Sequence, residues 1–261
     1  MLLEDALIVN NHRLQGEYHR VDFAAPQILT QVRPGQFVHV RLPLFHHRTL
    51  RRPFSVFSVD PEAGLLSVIY KVVGEGTRHL SGLEAGGRAS LLGPLGNGYT
   101  MPPGNALPVI VAGGYGSAAT YLLARESAVK PVCLLGGRTA SDLLLVDEFE
   151  ELGAVVRVAT DDGTRGHRGF VTDLLVDFLA QEPDNPWIYA CGPNPMLKSV
   201  AEIVLARGRD AEISLDHAMC CGVGACFACV VKMKSENPPG WEYVRTCKAG
   251  PVFKASETVW D

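Results

Sequence analysis

The chain has 261 residues, 47% of them hydrophobic and 20% charged, and a net charge of −4. That much apolar material excludes a disordered chain, and at roughly 100–200 residues per domain it fits two domains plus a small appendage. Scattered Lys and Arg under an acidic balance exclude the basic face that nucleic-acid binders need, and no apolar run reaches the about 18 residues of a spanning helix. The opening Met1-Leu-Leu-Glu-Asp-Ala-Leu7 has neither a basic n-region nor a cleavage site, so a cytoplasmic protein with no membrane partner is expected.

Residues 1–102 read as β-rich. Short runs at Gln36–Leu42, Phe54–Val59, Leu65–Val73 and Arg88–Leu92 are separated by Gly, Pro and Asp turns, which favours an antiparallel barrel or sandwich. Arg52-Pro-Phe-Ser55 opens one of these strands, and Gly74-Glu-Gly-Thr77 follows another as a turn. An Arg fork suits a diphosphate, and Gly76 and Thr77 could add amides and a hydroxyl. Taken bare, these are a basic strand edge and a turn.

After Pro102-Pro-Gly-Asn105, a plausible linker, the pattern becomes βαβ. Strands are expected at Leu107–Ala112, Pro131–Leu135, Val155–Ala159, Trp187–Cys191 and Ile213–Leu215. Helices are expected at Ala118–Ser127, Ser141–Leu152 (with Ser141 as N-cap), Val171–Leu179 and Pro195–Arg207. Such alternation implies a doubly wound parallel sheet. Gly114-Tyr-Gly116-Ser-Ala-Ala119 matches G-x-G-x-x-G/A between a strand and a helix, the context in which amides at a helix N-terminus take phosphate. A close packing joint would look the same. The acidic ribose reader expected about 20 residues on is absent. Gly136-Gly-Arg138 stands there, which leaves NADH against NADPH open.

Seven cysteines, an odd number, do not suggest a disulfide framework. Five fall in the last 42 residues. Cys221-Gly-Val-Gly-Ala-Cys226-Phe-Ala-Cys229 has the spacing C-x4-C-x2-C, and Cys247 follows after 17 residues. This is the plant-type [2Fe–2S] arrangement. Gly222 and Gly224 allow left-handed turns, and small Ala225 and Ala228 let amides approach sulfur. Four thiolates would also suit a zinc knuckle, the alternative for a non-enzymatic scaffold. Cys220 breaks the x4 spacing and is expected to be a neighbour, and Cys133, inside an apolar strand, a core thiol.

Together these residues resemble the ferredoxin-reductase superfamily and, within it, the electron-transfer subunits of class B dihydroorotate dehydrogenase. Arg52-Pro-Phe-Ser55 resembles the flavin signature, Leu92-Gly-Pro-Leu-Gly-Asn-Gly98 the end-of-barrel loop, and Cys191-Gly-Pro193 the motif beside the nicotinamide. The tail Met219–Val231, closing with Thr246–Phe253, is the specific part, and the resemblance covers essentially the whole chain. It implies a multidomain protein: an antiparallel β-barrel FAD domain (1–102), an α/β nucleotide domain (103–213) and a small C-terminal [2Fe–2S] domain (214–261). It implies that Arg52 neutralises the FAD diphosphate, Ser55 bonds the flavin near N5, and Pro53 and Phe54 shape the flavin's side of the barrel. Ile69, Tyr70 and Lys71 would line the ribityl and adenine portion, Gly76 and Thr77 would hold the pyrophosphate, and Gly114, Gly116 and Cys191 would flank NAD(H). Cys221, Cys226, Cys229 and Cys247 would ligate the cluster. Where the family often has a helix-start Pro, this chain has Ala119, which an N1 position tolerates. The loop at Asn237-Pro-Pro-Gly-Trp241 looks unlike a plain hairpin and is expected to face a partner or shield the cluster. The implied partner is an FMN-containing catalytic subunit that oxidises dihydroorotate in pyrimidine biosynthesis, in a heterotetramer. A diaphorase-type subunit serving a hydrogenase, ferredoxin or other reductase would share the same modules.

Overall fold

The computed structural model describes residues 1–43, 50–215 and 218–260. Its first sheet is antiparallel, built from β1 (Leu2–Gln15), β2 (Tyr18–Ala24), β3 (Phe37–Arg41), β4 (Arg52–Ser55), β5 (Ser58–Asp60), β6 (Leu65–Lys71) and β7 (Arg88–Leu95). The order is β4-β3-β7-β1-β2-β6-β5. β4 and β5 therefore lie at opposite edges, yet only Val56 and Phe57 join them. The Val56 amide donates to the Gln36 carbonyl at 3.0 Å and the Phe57 amide to the Ser67 carbonyl at 2.9 Å. Those two bonds roll the sheet closed around Ile8, Phe23, Val38, Phe54, Leu66 and Leu91, giving the expected barrel.

The longest strand, β1, and its partner β2 were not among the expected runs. Polar Asn10-Asn-His-Arg13 hides the alternation, and register shifts at Ile8/Asn10 and Arg13/Gln15 break the period of two. A short helix, α1, covers Pro26–Leu29. The turn expected at Gly74-Glu-Gly-Thr77 is instead the start of a helix, α2 (Glu75–Ser81).

The second sheet contains β8 (Leu107–Gly113), β9 (Val132–Gly137), β10 (Val155–Thr160), β11 (His167–Arg168), β12 (Pro186–Cys191) and β13 (Ala211–Ser214), all parallel, in the order β11-β10-β9-β8-β12-β13. Alternate residues feed its two faces. Ile110, Cys133 and Leu135 meet α3 (Gly116–Glu126) and α4 (Val146–Glu151), whereas Val109, Val111 and Leu134 meet α5 (Val171–Leu179) and α6 (Asn194–Leu205). The chain winds outward from β8 to β11, then crosses back to β12. The crevice at that reversal, beyond the ends of β8 and β12, is where doubly wound sheets bind ligands.

Two local expectations are corrected. The helix expected over Ser141–Leu152 is a single 3₁₀ turn, Ala140–Asp142, followed by α4. Thr139 rather than Ser141 is the cap, its hydroxyl accepting the Ser141 amide at 3.3 Å. Leu143, Leu144 and Leu145 are all buried, which three consecutive positions on one helix stripe cannot be, and Leu145 breaks the path with φ 62°. Ala119 is not at N1 either. α3 starts at Gly116, so Ala119 lies one turn in and its amide donates to the Tyr115 carbonyl at 3.4 Å.

Beyond β13 the chain builds a cysteine-rich loop and then a hairpin, β14 (Val230–Lys234) with β15 (Trp241–Arg245). A one-turn helix, α7 (Thr246–Ala249), leads to β16 (Val252–Lys254), which pairs antiparallel with β13 and returns the tail to the nucleotide sheet. The end-of-barrel loop is fastened to the same place. The Asn97 amide donates to the Gly250 carbonyl at 2.6 Å and Asn97 Nδ2 to the Ala249 carbonyl at 2.9 Å. The strands on either side of the Asn237–Trp241 segment pair in full register, from Val230 with Arg245 to Lys234 with Trp241. The exposed tip lies at the far end from Cys229 and Cys247, so the expected shielding of those two cysteines is not seen.

Candidate functional site

The hairpin explains the 17-residue gap before Cys247. Its two strands start and end together, so Cys229 and Cys247 meet at its base, where the Thr246 amide donates to the Cys229 carbonyl at 2.8 Å. The other two cysteines are brought together by the loop itself. Gly222 and Gly224 take left-handed φ values of 68° and 82°, which turns successive amides inward. The Cys226 amide donates to Cys221 Sγ at 3.3 Å, and the two sulfurs lie 3.3 Å apart. Burial raises the Cys221 thiol, but the amides of Cys226, Val223 and Ala225 outweigh it and bring it down to about 6. Cys247 is pushed up to about 12, first by burial and then by its bond to Cys229. Cys220 gains no such donors and is raised.

The sulfurs thus form two pairs, each with one thiol prepared for ionisation. Two irons with two thiolates each match that arrangement. A tetrahedral zinc needs all four thiolates on one ion, whereas here they stand as two pairs. The donor set therefore fits a [2Fe–2S] cluster. Cys133 is a core thiol, raised to about 12 by burial.

β4 carries Arg52, Pro53, Phe54 and Ser55 on alternating faces. Phe54 turns into the barrel, its ring 5.7 Å from that of Tyr70. Ser55 and Pro53 lie across from Phe37 and His39 on the outer face. Arg52 rests against the first turn of α2. A Cβ at Gly76 would come within 2.7 Å of Arg52 Nε, so glycine is what lets the guanidinium approach. The first amides of a helix have no acceptor within it, and here they sit beside that guanidinium, a cradle fit for a diphosphate. The Thr77 hydroxyl is committed to its own loop, accepting the amides of Val73 (3.0 Å) and Gly74 (3.1 Å). On β6 the expected trio splits. Tyr70 is inside the barrel with its hydroxyl donating to Asn11 Oδ1 at 3.0 Å, whereas Ile69 and Lys71 face the nucleotide domain. Lys71 Nζ pairs with Asp142 at 3.1 Å and lies over the Tyr18 ring.

At the reversal of the second sheet, Gly114, Gly116 and Cys191 come together. Gly114 has φ 56°, and a Cβ on Gly116 would stand 2.0 Å from the Cys191 carbonyl oxygen. The turn is therefore both a packing joint and the mouth of the crevice. Aromatic side chains tie this end to the barrel: Tyr99 donates to the Ala190 carbonyl at 3.2 Å and Tyr189 to the Thr100 carbonyl at 2.6 Å. Glu212 accepts the Thr100 amide at 2.8 Å. Arg138 is exposed at the end of β9.

One residue that sequence reasoning missed stands between the barrel and the cysteine loop. His39 on β3 is fully buried, and neither ring nitrogen has a hydrogen-bond partner among the described residues. Burial, then the charge of Arg51, lowers it to about 4 and keeps it neutral. A lone His in a short apolar strand carries no signal of its own, and its neighbour Gly222 lies far along the chain.

A flavin-type barrel, a nicotinamide-type doubly wound sheet and paired thiols packed on the barrel define an electron-transfer flavoprotein of the ferredoxin-reductase class. Family models agree part by part: an oxidoreductase FAD-binding domain over residues 6–99, an oxidoreductase NAD-binding domain over 110–202, and the iron–sulfur cluster binding domain of dihydroorotate dehydrogenase B over 216–259. The electron transfer subunit of dihydroorotate dehydrogenase B (NAD(+)) from Fusobacterium nucleatum is 34% identical, with 98% of each chain covered. The subunit of that name from Geobacillus kaustophilus is 37% identical over 99% of this chain and 100% of its own. This chain belongs to the family of dihydroorotate dehydrogenase B electron transfer subunits. Among solved structures, an NADH-dependent reduced ferredoxin–NADP oxidoreductase matches with a TM-score of 0.85 and 32% identity, over 98% of this chain and 90% of that one. The ferredoxin reductase of carbazole 1,9a-dioxygenase, at 22% identity and TM-score 0.68 over 80% and 66%, shares the fold. Among the described residues no helix is long and apolar enough to cross a membrane.

Proposed function

We propose that this chain passes electrons between NAD(H) and an FMN-containing catalytic subunit that converts dihydroorotate to orotate in pyrimidine biosynthesis, the two assembling as a cytoplasmic heterotetramer. The carrying observation is the pair of thiol pairs, closed by a hairpin and packed on a flavin-type barrel, in a chain alike over its full length to subunits of that name. Bound FAD supplies the exchange of a nicotinamide's two electrons for the single electrons a [2Fe–2S] cluster accepts. The protein's part is to hold and orient. Arg52 and the first amides of α2, with Gly76 and Thr77, fix the FAD diphosphate. Ser55 bonds the flavin near N5, beside Pro53, with Phe54 and Tyr70 stiffening the barrel wall behind and Ile69 and Lys71 beside the adenine end. Gly114, Gly116 and Cys191 seat the nicotinamide nucleotide, and Cys221, Cys226, Cys229 and Cys247 hold the iron.

Anaerobic titration of the purified chain with NADH tests this, with flavin absorbance and the cluster's paramagnetic signal followed together. Flavin bleaching with a reduced-cluster signal is expected, and a colourless protein or one silent to NADH overturns the reading. Dihydroorotate alone should leave the flavin oxidised, because the catalytic residues belong to the partner. A second reading is favoured by the likeness to the ferredoxin–NADP oxidoreductase: the same modules serving a ferredoxin-linked enzyme. The subunit that copurifies with the chain separates the two.

A further inference from the structure

His39 faces the seam between barrel and cluster loop. On β3, Val38 and Val40 point into the barrel core, so Phe37 and His39 share the outer face. Phe37 packs on Cys229, Cys247 and Leu95. His39 stands two residues along the same face, opposite Pro53 on β4 and Leu92 on β7. From the other side comes Gly222, the residue after Cys221. A Cβ there would lie 2.4, 2.6 and 2.7 Å from Cε1, Nε2 and Nδ1 of the imidazole. Gly222 is thus required twice, by its left-handed φ and by the ring filling its side-chain space.

The ring is completely shielded from water, and the residues placed beside it by the strand register and the loop, Phe37, Pro53, Leu92 and Gly222, have side chains that accept no hydrogen bond, while nearby Arg51 can only donate. A neutral imidazole carries one N–H, and a buried donor left without an acceptor is strongly disfavoured. Among the described residues the seam offers the ring no acceptor, and a cluster held by the cysteine loop would supply one. We propose that His39 is a positioning residue for the cluster, its ring N–H donating a hydrogen bond to a cluster sulfur on the Cys221 side and so linking flavin strand to iron site. This rests on the reading of the four cysteines as cluster ligands. An N–H aimed at sulfur favours the more negative, reduced state, so His39 raises the cluster's potential.

The test is a potentiometric titration of the full, cluster-loaded chain, read by its paramagnetic signal. His39→Leu is expected to shift the oxidised-to-reduced ratio about tenfold toward oxidised at fixed potential, a midpoint lowered by about 59 mV. His39→Gln, which keeps an N–H donor, should largely restore it. Equal lowering in both variants marks a packing role and overturns the proposal, as does no change in either. Should the Leu variant not fold, pulsed magnetic resonance on wild-type protein carrying ¹⁵N-histidine decides the matter. A ¹⁵N coupling to the reduced cluster that vanishes in His39→Gln supports the hydrogen bond, and its absence in the wild type refutes it. A wild type with no paramagnetic signal at all instead sinks the cluster assignment, and this inference with it.

Discussion

The barrel has two seams, and they differ in how far hydrogen bonds are mixed into them. Against the nucleotide domain it sets hydrogen-bonding groups among apolar ones: Phe57 and Ile69 pack there, Tyr18 and Lys71 meet Asp142, Gln15 Nε2 donates to the carbonyls of Ser141 and Leu143, and Tyr99 reaches the Ala190 carbonyl. Against the cluster loop it offers Phe37, Leu92 and Leu95 to Cys229, Cys247 and Met219. The chemistry accounts for the contrast. A nicotinamide nucleotide must enter and leave at each turnover, so its seam is made of bonds that water can replace. A cluster stays in place, and a dry seam holds its neighbours rigid.

Breaking the dry seam should have the largest effect. Cys221→Ser removes the thiol that the loop's amides prepare, and complete loss of the cluster's absorbance and paramagnetic signal is expected, with the flavin still reduced by NADH. Cys220→Ser is the paired control and should retain both signals. The reverse pattern would move the ligand assignment by one residue.

Gly116→Ala comes next, and it acts at the crevice on the other side of the barrel. Its Cβ would meet backbone, the Cys191 carbonyl, and not a flexible side chain. A destabilisation of about 3 kcal/mol is expected from such overpacking, measured by urea unfolding. An unchanged midpoint would mean that α3 shifts freely on β12.

What the sequence disclosed follows the same division. The gathering of the four tail cysteines and the left-handed turns at Gly222 and Gly224 were legible because one local segment supplies three cysteines and both glycines, so spacing carries the local geometry. The doubly wound sheet was legible because its buried strands are continuous apolar runs. The seams were not legible. They join residues far apart, such as His39 with Gly222 or Tyr99 with Ala190, and no periodicity records which distant surfaces meet. β1 was hidden by its bulges, and the break in Ser141–Leu152 by three leucines that look helical until the sheet beneath them is known.

Asp142→Ala measures how little one bond of the polar seam contributes. It deletes the acceptor for Lys71 Nζ (3.1 Å) and Tyr18 (3.3 Å). The Lys71 side chain is 36% exposed, so solvent screens the pair and a loss of no more than about 1 kcal/mol is expected, shrinking as salt is added. A larger, salt-independent loss would make this seam as rigid as the dry one.

The smallest effect belongs to Glu212, where the polar seam runs deepest. Burial raises its carboxyl above the ordinary range, against the Thr100 amide that lowers it. Between the unfolded value, about 4.3, and that raised value, the folded state binds the extra proton, so stability falls as pH rises through this window. Glu212→Gln keeps an oxygen for the Thr100 amide and removes the ionisation. The variant should differ from wild type by less than about 1 kcal/mol at neutral pH and lose the downward slope above pH about 4.3. Stability measured at several pH values reads the slope directly. If wild type shows no such slope, Glu212 is ionised at little cost, and the nucleotide seam admits water as far as Thr100.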